Sequence, residues 1–221
     1  MNAYIFLIHS ALVLSTLFVV LRLGKEALIA FVVCCGLFAN FFVHKEIVLF
    51  GYEVTASDVY TIGAMFGCFV LQQYWGAQLV KRTVWISFLL LFFGMGASYF
   101  HLLYTPSPHD SSHMHYAACL QTAPRLCFAS CVSYLLTQSV EIWLFRLFIQ
   151  LRRIPLPIRA CVIGAIVQFM DTVLFSYLGL YGTVHALWDI IIISYTIKLG
   201  ITCLYAFFLP LLKNEPIEPL A

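Results

Sequence analysis

Val84-Trp85-Ile86-Ser87-Phe88-Leu89-Leu90-Leu91-Phe92-Phe93-Gly94-Met95-Gly96-Ala97-Ser98-Tyr99-Phe100-His101-Leu102-Leu103-Tyr104 contains no Asp, Glu, Lys or Arg. A helix needs about 20 apolar residues to cross the hydrocarbon core of a bilayer, and this run supplies them. Its apolar residues are continuous and do not alternate with polar ones, which argues against a strand-built barrel. Outward from it, comparable runs read as spans at about 3–21, 27–43, 57–78, 124–150, 160–182 and 184–211. The expected fold is an all-α membrane protein: a polytopic bundle of six to seven transmembrane helices, one transmembrane domain over residues 1–221.

Composition points the same way. Of the 221 residues, 62% are apolar, 16% aromatic and only 10% charged, and the mean hydropathy is +0.95. Soluble domains carry about 25% charged residues, so this chain lacks the charge to wet a surface of its size. A soluble enzyme, a nucleic-acid binder and a disordered scaffold are excluded. The net charge of +2 leaves no polybasic patch for nucleic acid or an anionic surface.

The first span resembles a signal peptide only in its hydropathy. It has no basic leader, is followed by Arg22 and Lys25, and ends without a small-x-small cleavage site, so a retained helix is expected. In a seven-span arrangement Arg22, Lys25, Lys81, Arg82, Arg152, Arg153, Arg159 and Lys213 fall on one side, and only Lys45 and Arg125 near the other. The positive-inside rule then puts the N-terminus outside and the C-terminus in the cytoplasm. The tail Asn214-Glu215-Pro216-Ile217-Glu218-Pro219 is too short and Pro-rich for a domain.

Eight cysteines occur without a CxxC, nearly all within apolar runs, and read as small packing residues. Only Cys119 falls in an expected outer loop. That loop begins Thr105-Pro106-Ser107-Pro108-His109-Asp110-Ser111-Ser112-His113-Met114-His115. Its histidines and aspartate are of metal-ligating type, but with no thiolate and no ordering it reads as an exposed polar loop, and no metal is expected.

In a membrane span the informative residues are the polar ones at depth. An ionisable group at the bilayer centre costs about 2.5–3.5 kcal/mol unless it is paired or faces water. Glu141, Asp171 and Lys198 stand well inside their spans. Ser130, Tyr134, Gln138, Glu141 and Phe145 fall on one helical stripe, and Gly164, Gln168, Asp171, Thr172 and Phe175 on another. A pattern Gln-x-x-acid-x-x-x-Phe recurs from Gln138, Glu141 and Phe145 to Gln168, Asp171 and Phe175. Neighbouring spans run antiparallel, yet acids near mid-depth on both could face one cavity. Ser194, Tyr195 and Lys198 put an amine and a hydroxyl on one face of the last span.

Two readings stay open. In one, Lys198 neutralises an acid and the amides and hydroxyls bond helix to helix. In the other, these groups line a pocket for a planar polar heterocycle. A carboxylate there accepts two N–H bonds from a guanine-like edge, Gln reads a carbonyl, and Tyr or Phe stacks. Catalytic motifs are missing: there is no GxxxxGK[ST], no HExxH, and no Ser, His and Asp at a shared depth. His185 and Asp189 are either a proton relay or a hydrogen-bonded pair at the membrane edge. The chain is not expected to be an enzyme or to hold a cofactor.

A series of short motifs resembles the bacterial queuosine precursor transporter family, also described as vitamin-uptake-like. It comprises Ala39-Asn40 with Lys45, Phe50-Gly51, Trp75-Gly76 with Lys81-Arg82, and Pro106-Ser107-Pro108-His109-Asp110. It continues through Arg125, Ala129-Ser130, Tyr134, Gln138 to Phe145, Arg159, Gln168-x-x-Asp171-Thr172, Gly182, and Tyr195-x-x-Lys198 with Pro210. The resemblance implies import of a 7-deazaguanine base, such as queuine or its precursors, across a bacterial cytoplasmic (inner) membrane. It implies a helical core like the substrate-binding subunits of energy-coupling-factor transporters. Uptake would be driven by proton coupling through a buried acid or by a separate ATPase module. It places Asp171, Glu141, Gln138, Gln168, Tyr134, Ser130, Lys198, Arg125 and Asn40 as substrate-binding candidates. Phe69, Gln73 and Ala160-Cys161 replace polar residues usual in the family, and Glu141 replaces an Asp. A larger or differently charged deazaguanine is therefore the expected cargo. The alternatives are another vitamin or nucleobase-like compound, and a structural membrane subunit that transports nothing.

Overall fold

A computed structural model of the chain describes residues 1–120, 123–150, 154–184 and 187–210. Arg152, Arg153, His185, Lys213 and the tail 214–219 lie outside the described residues. The elements are α1 (Asn2–Leu23), α2 (Lys25–Phe42), β1 (Glu46–Leu49), β2 (Tyr52–Thr55), α3 (Asp58–Trp75), α4 (Ala77–Leu103), α5 (His113–Leu120), α6 (Ala123–Gln150), α7 (Leu156–Phe175) and α8 (Leu187–Phe208). Among the described residues α1, α2, α4, α6, α7 and α8 are long and apolar enough to cross a membrane.

Two glycines place the tight turns. Gly24 between α1 and α2, and Gly76 between α3 and α4, have φ of 107° and 83°, backbone that a Cβ would strain. Each reverses the chain with one residue. The break expected near 79–83 is therefore at Gly76, and Lys81 and Arg82 belong to the start of α4. At the other end of α4 the chain continues only to Leu103, before Pro106.

From Val84 onward α4 carries no Asp, Glu, Lys or Arg. Only Val80, Thr83, Val84, Ser87 and Phe88 are buried in it, while Trp85, Leu89, Phe92, Phe93 and Phe100 point outward. A soluble helix would hide such residues; a helix facing hydrocarbon need not. At 27 residues it is about 40 Å long, enough to span with tilt. The protein is a multi-pass membrane protein.

α3 lies at the centre. It packs against each of α1, α2, α4, α6, α7 and α8, and almost its whole surface, Val59 to Gln72, is buried. Enclosure by protein is what lets it carry Asp58, Gln72 and Gln73 where lipid would not tolerate them. Gly63 and Gly67, one turn apart, bring its neighbours close. A Cβ at Gly63 would lie 2.7 Å from Val13 of α1, and one at Gly67 would lie 2.6 Å from Val32 of α2. Small residues at such spacing let membrane helices approach. Gly67→Val should therefore lower thermal stability by about 1–3 kcal/mol through overpacking, read as a fall in the melting temperature of detergent-purified protein. An unchanged midpoint would show that α2 and α3 can separate without loss.

The sequence reading did not anticipate the hairpin β1–β2. Phe50 and Gly51 both have positive φ, 54° and 90°, the two-residue turn that matches strand twist. The strands pair Ile47 with Val54 and Leu49 with Tyr52, and Leu49 and Val54 are each 1% exposed. The hairpin packs on α8 and α1, and its second strand delivers the chain into Ser57 and Asp58 at the head of α3. The expected outer loop is also partly helical: α5 takes up His113 and His115. His109 and Asp110 remain exposed before it, with Asp110 accepting the Ser112 N–H at 2.7 Å. Among the described residues no three His, Cys, Asp or Glu gather as a metal site. All eight cysteines are free.

Candidate functional site

Two partly open cavities lie at different levels of the bundle. The outer is about 90 Å³ and the inner about 20 Å³, and Met65 of α3 lines both. One water needs about 10–15 Å³ on the same scale, so the outer cavity has room for a small ring compound and the inner for a single water-sized species.

The outer cavity is floored by an ion triad. Lys198 Nζ lies 3.1 Å from Asp171 Oδ2 and 3.3 Å from Asp58 Oδ1. Ser194 donates to Asp58 Oδ2 at 2.6 Å, and Ser133 donates to Asp171 Oδ1 at 3.2 Å. All three charged residues are buried. Two carboxylates share one ammonium, so the ionised triad carries an excess negative charge toward the cavity. The opposite wall is polar but neutral: Ser130 donates to Asn40 Oδ1 at 2.7 Å, and Asn40 Nδ2 donates to the Gly36 carbonyl at 3.0 Å. Tyr134, held by a 3.2 Å contact between its hydroxyl and the Cys68 sulfur, meets Phe88 edge to face at 5.9 Å. With Phe175, Met65 and Leu91 they supply the apolar surface.

The chain leaves α-helical geometry where it borders this cavity. After Phe175 a π-helical turn runs Ser176–Leu180, a distortion that frequently marks functional sites. Arg125 of α6 satisfies carbonyls there, donating Nε to Leu178 at 3.1 Å and Nη2 to Tyr181. Arg125 lies outside the cavity lining and is exposed. Arg125→Ala should therefore act on stability, by about 1 kcal/mol. That is a fall of about 2–4 °C in melting temperature, with the KM for uptake unchanged. A rise in KM without a stability change would instead put Arg125 on the cargo.

The inner cavity is lined by Glu141 of α6, Gln168 and Gly164 of α7, Phe66 and Phe69 of α3, Ala160 and Thr202. Glu141 is 3% exposed. Its Oε2 accepts a 2.7 Å bond from Gln138 Nε2, and no salt bridge reaches it among the described residues. Among the described residues the buried oxygens Gln138 Oε1, Gln168 Oε1 and Thr202 Oγ1 have no hydrogen-bond partner.

The sequence-derived candidates thus divide. Asp171, Lys198, Tyr134, Ser130 and Asn40 line the outer cavity. Glu141 and Gln168 line the inner one, with Gln138 bonded to Glu141. The two acids do not share a cavity, and the reason is geometric. Ser133 touches Asp171, so eight residues of α6 (133 to 141) separate that level from Glu141, about 12 Å along the axis. On antiparallel helices the same Gln-x-x-acid step carries one acid inward and the other outward. Two of the unusual residues, Phe69 and Ala160, lie on the inner cavity.

Asp58 was not singled out from sequence. At the start of an apolar run it looks like an ordinary first-turn acid at the membrane edge; the hairpin ahead of it puts it inside. Thr61, Ser87 and Ser176, also on the outer cavity, carry no sequence signal beyond polarity within a span, whereas Thr172 beside them falls on the stripe of Asp171.

Residues 55–212 match the family model described as "Putative vitamin uptake transporter". The chain is 26% identical over 189 residues, 81% of its length and 80% of the relative's, to a Bacillus subtilis (strain 168) protein named "Probable queuosine precursor transporter". No solved structure matches it, and the likeness to energy-coupling-factor subunits rests on the sequence resemblance. With the family model covering most of its length, the chain belongs to the vitamin uptake transporter family.

Proposed function

We propose that this protein imports a queuosine precursor, a 7-deazaguanine base such as queuine or one of its precursors, across the bacterial cytoplasmic membrane, and that the outer cavity is its binding site. Membership of a vitamin uptake family supports a small-molecule cargo and a role that is not enzymatic. The relative's name suggests the class of cargo. The observation that carries the reading is the triad of Asp58, Lys198 and Asp171 facing Tyr134 and Phe88 across the cavity.

Such an arrangement suits a flat heterocycle with N–H groups on one edge. A carboxylate accepts the paired N–H groups of the guanine-like edge with charge-assisted bonds. The excess negative charge also favours a cargo with a cationic arm. Aromatic faces supply sequence-tolerant stacking, worth about 1–3 kcal/mol per base, while Asn40 and Ser130 meet the remaining polar edge. Lys198 holds both carboxylates in place, at 3.3 Å from Asp58 and 3.1 Å from Asp171. Gln138 and Gln168 lie outside this site, Gln168 on the inner cavity and Gln138 bonded to Glu141.

Expression in bacteria that cannot make queuosine and lack their own importer tests the reading. Each precursor is supplied in turn with the necessary salvage enzymes, and queuosine in tRNA is measured. Recovery with one precursor names the cargo. Absence of recovery with every precursor, from correctly inserted protein, counts against the assignment and points to another vitamin-like ring compound or to a missing energising ATPase module. Within the same assay Tyr134→Leu should raise the KM for uptake about 10-fold, the loss of one stacking contact. An unchanged KM would remove Tyr134 from the ring site.

A further inference from the structure

We infer that the inner cavity is a binding site for a desolvated monovalent cation of the sodium class, held by Glu141, Gln168 and Thr202 and coupled to uptake. The inference rests on the transport reading only for its coupling, not for the site.

The donor set is made of hard oxygens, the type that takes alkali and alkaline-earth ions in preference to transition metals. Glu141 supplies one carboxylate, Gln168 an amide oxygen and Thr202 a hydroxyl, and all three residues are at least nine-tenths buried. The Gln168 and Thr202 oxygens have no hydrogen-bond partner among the described residues, whereas buried polar groups almost always have one. Among the described residues Glu141 receives one side-chain hydrogen bond, from Gln138, and no counter-charge. A buried carboxylate without a counter-charge calls for a cation or a proton. A proton would give Glu141 one O–H and satisfy one orphan oxygen. A metal cation satisfies the carboxylate and the neutral oxygens together.

Charge and size narrow the ion. Calcium sites draw on several carboxylates, and magnesium keeps several of its waters; here there is one carboxylate and about 20 Å³. That space admits one ion stripped of its shell. Position supplies the link to cargo. Met65 borders both cavities, and Gln168 and Asp171 lie on the same helix less than one turn apart. An ion below therefore braces the segment that holds the cargo carboxylate above.

The test uses the full-length protein purified in detergent, without cargo. Thermal unfolding is followed in NaCl, KCl and choline chloride at constant ionic strength and at two pH values. Saturating Na⁺ should raise the wild-type midpoint by about 5 °C, with little effect from choline. Glu141→Gln should abolish the shift, and Thr202→Val should weaken it, which keeps the test valid if the first variant does not fold. A midpoint indifferent to Na⁺ overturns the site. A pH-dependent midpoint that Glu141→Gln removes, with no Na⁺ effect, overturns it in favour of a proton. Precursor uptake is then compared in Na⁺ and choline media. Loss of uptake without Na⁺ supports coupling, and equal uptake overturns coupling. Sodium binding by a protein that imports no deazaguanine would leave the site standing and sink the cargo assignment alone.

Discussion

Asp171→Ala should lower precursor-dependent queuosine in tRNA at least 100-fold, with the protein still inserted in the membrane at wild-type amounts. The expected magnitude follows from its surroundings. Asp171 is buried, bonded by Lys198 at 3.1 Å and Ser133 at 3.2 Å, and borders the outer cavity. Truncating one partner of a buried hydrogen-bonded charge pair costs about 2–5 kcal/mol, and about 2.7 kcal/mol is a factor of 100. Insertion survives because Lys198 keeps Asp58 at 3.3 Å, so the ammonium is not stranded. Asp171→Asn separates shape from charge. It retains volume and one acceptor but cannot receive two N–H groups as a carboxylate does, so uptake should fall by a similar factor. Wild-type uptake by either variant would move the cargo site away from this cavity.

The second large effect is on folding. Lys198→Met should destabilise the protein by about 3–5 kcal/mol, the range for breaking a buried ion pair from one side. It leaves Asp58 and Asp171 buried together with no cation between them. For a chain of this size that is a fall of about 6–20 °C in melting temperature. The double variant Asp58→Asn with Lys198→Met should recover part of that loss, because one of the two stranded charges is gone. If the double variant is no more stable than Lys198→Met alone, the three residues do not act as one charge cluster. Uptake should remain lost in both variants, since each alters the charge that faces the cargo.

The helical bundle was legible because it depends on something one-dimensional. Unbroken apolar runs such as Val84 to Tyr104 are long enough to cross hydrocarbon, and a chain there must satisfy its own backbone. The span limits shifted where a glycine's left-handed backbone set the turn, as at Gly76, and at α7, which begins earlier at Leu156 and gives way to a π-helical turn after Phe175. The hairpin escaped because Glu46 to Thr55 is short and of mixed polarity, and its stability comes from packing Leu49 and Val54 on the bundle. Depth also singled out Glu141, Asp171 and Lys198, since ionisable groups within spans are too unfavourable to be incidental.

Sequence by itself therefore determined that this is a multi-pass helical membrane protein, and that Glu141, Asp171 and Lys198 lie at depth. Hydropathy and helical period are properties of a single segment, and both could be counted along the chain. Only the tertiary structure decided how those residues group. Asp58 joins Lys198 because a hairpin sets the start of α3 inside the bundle. Glu141 and Asp171 part company because α6 and α7 run in opposite directions, so the same three-residue step moves one acid inward and the other outward. Partnership between residues far apart in the chain is a matter of packing direction, and no local pattern carries it.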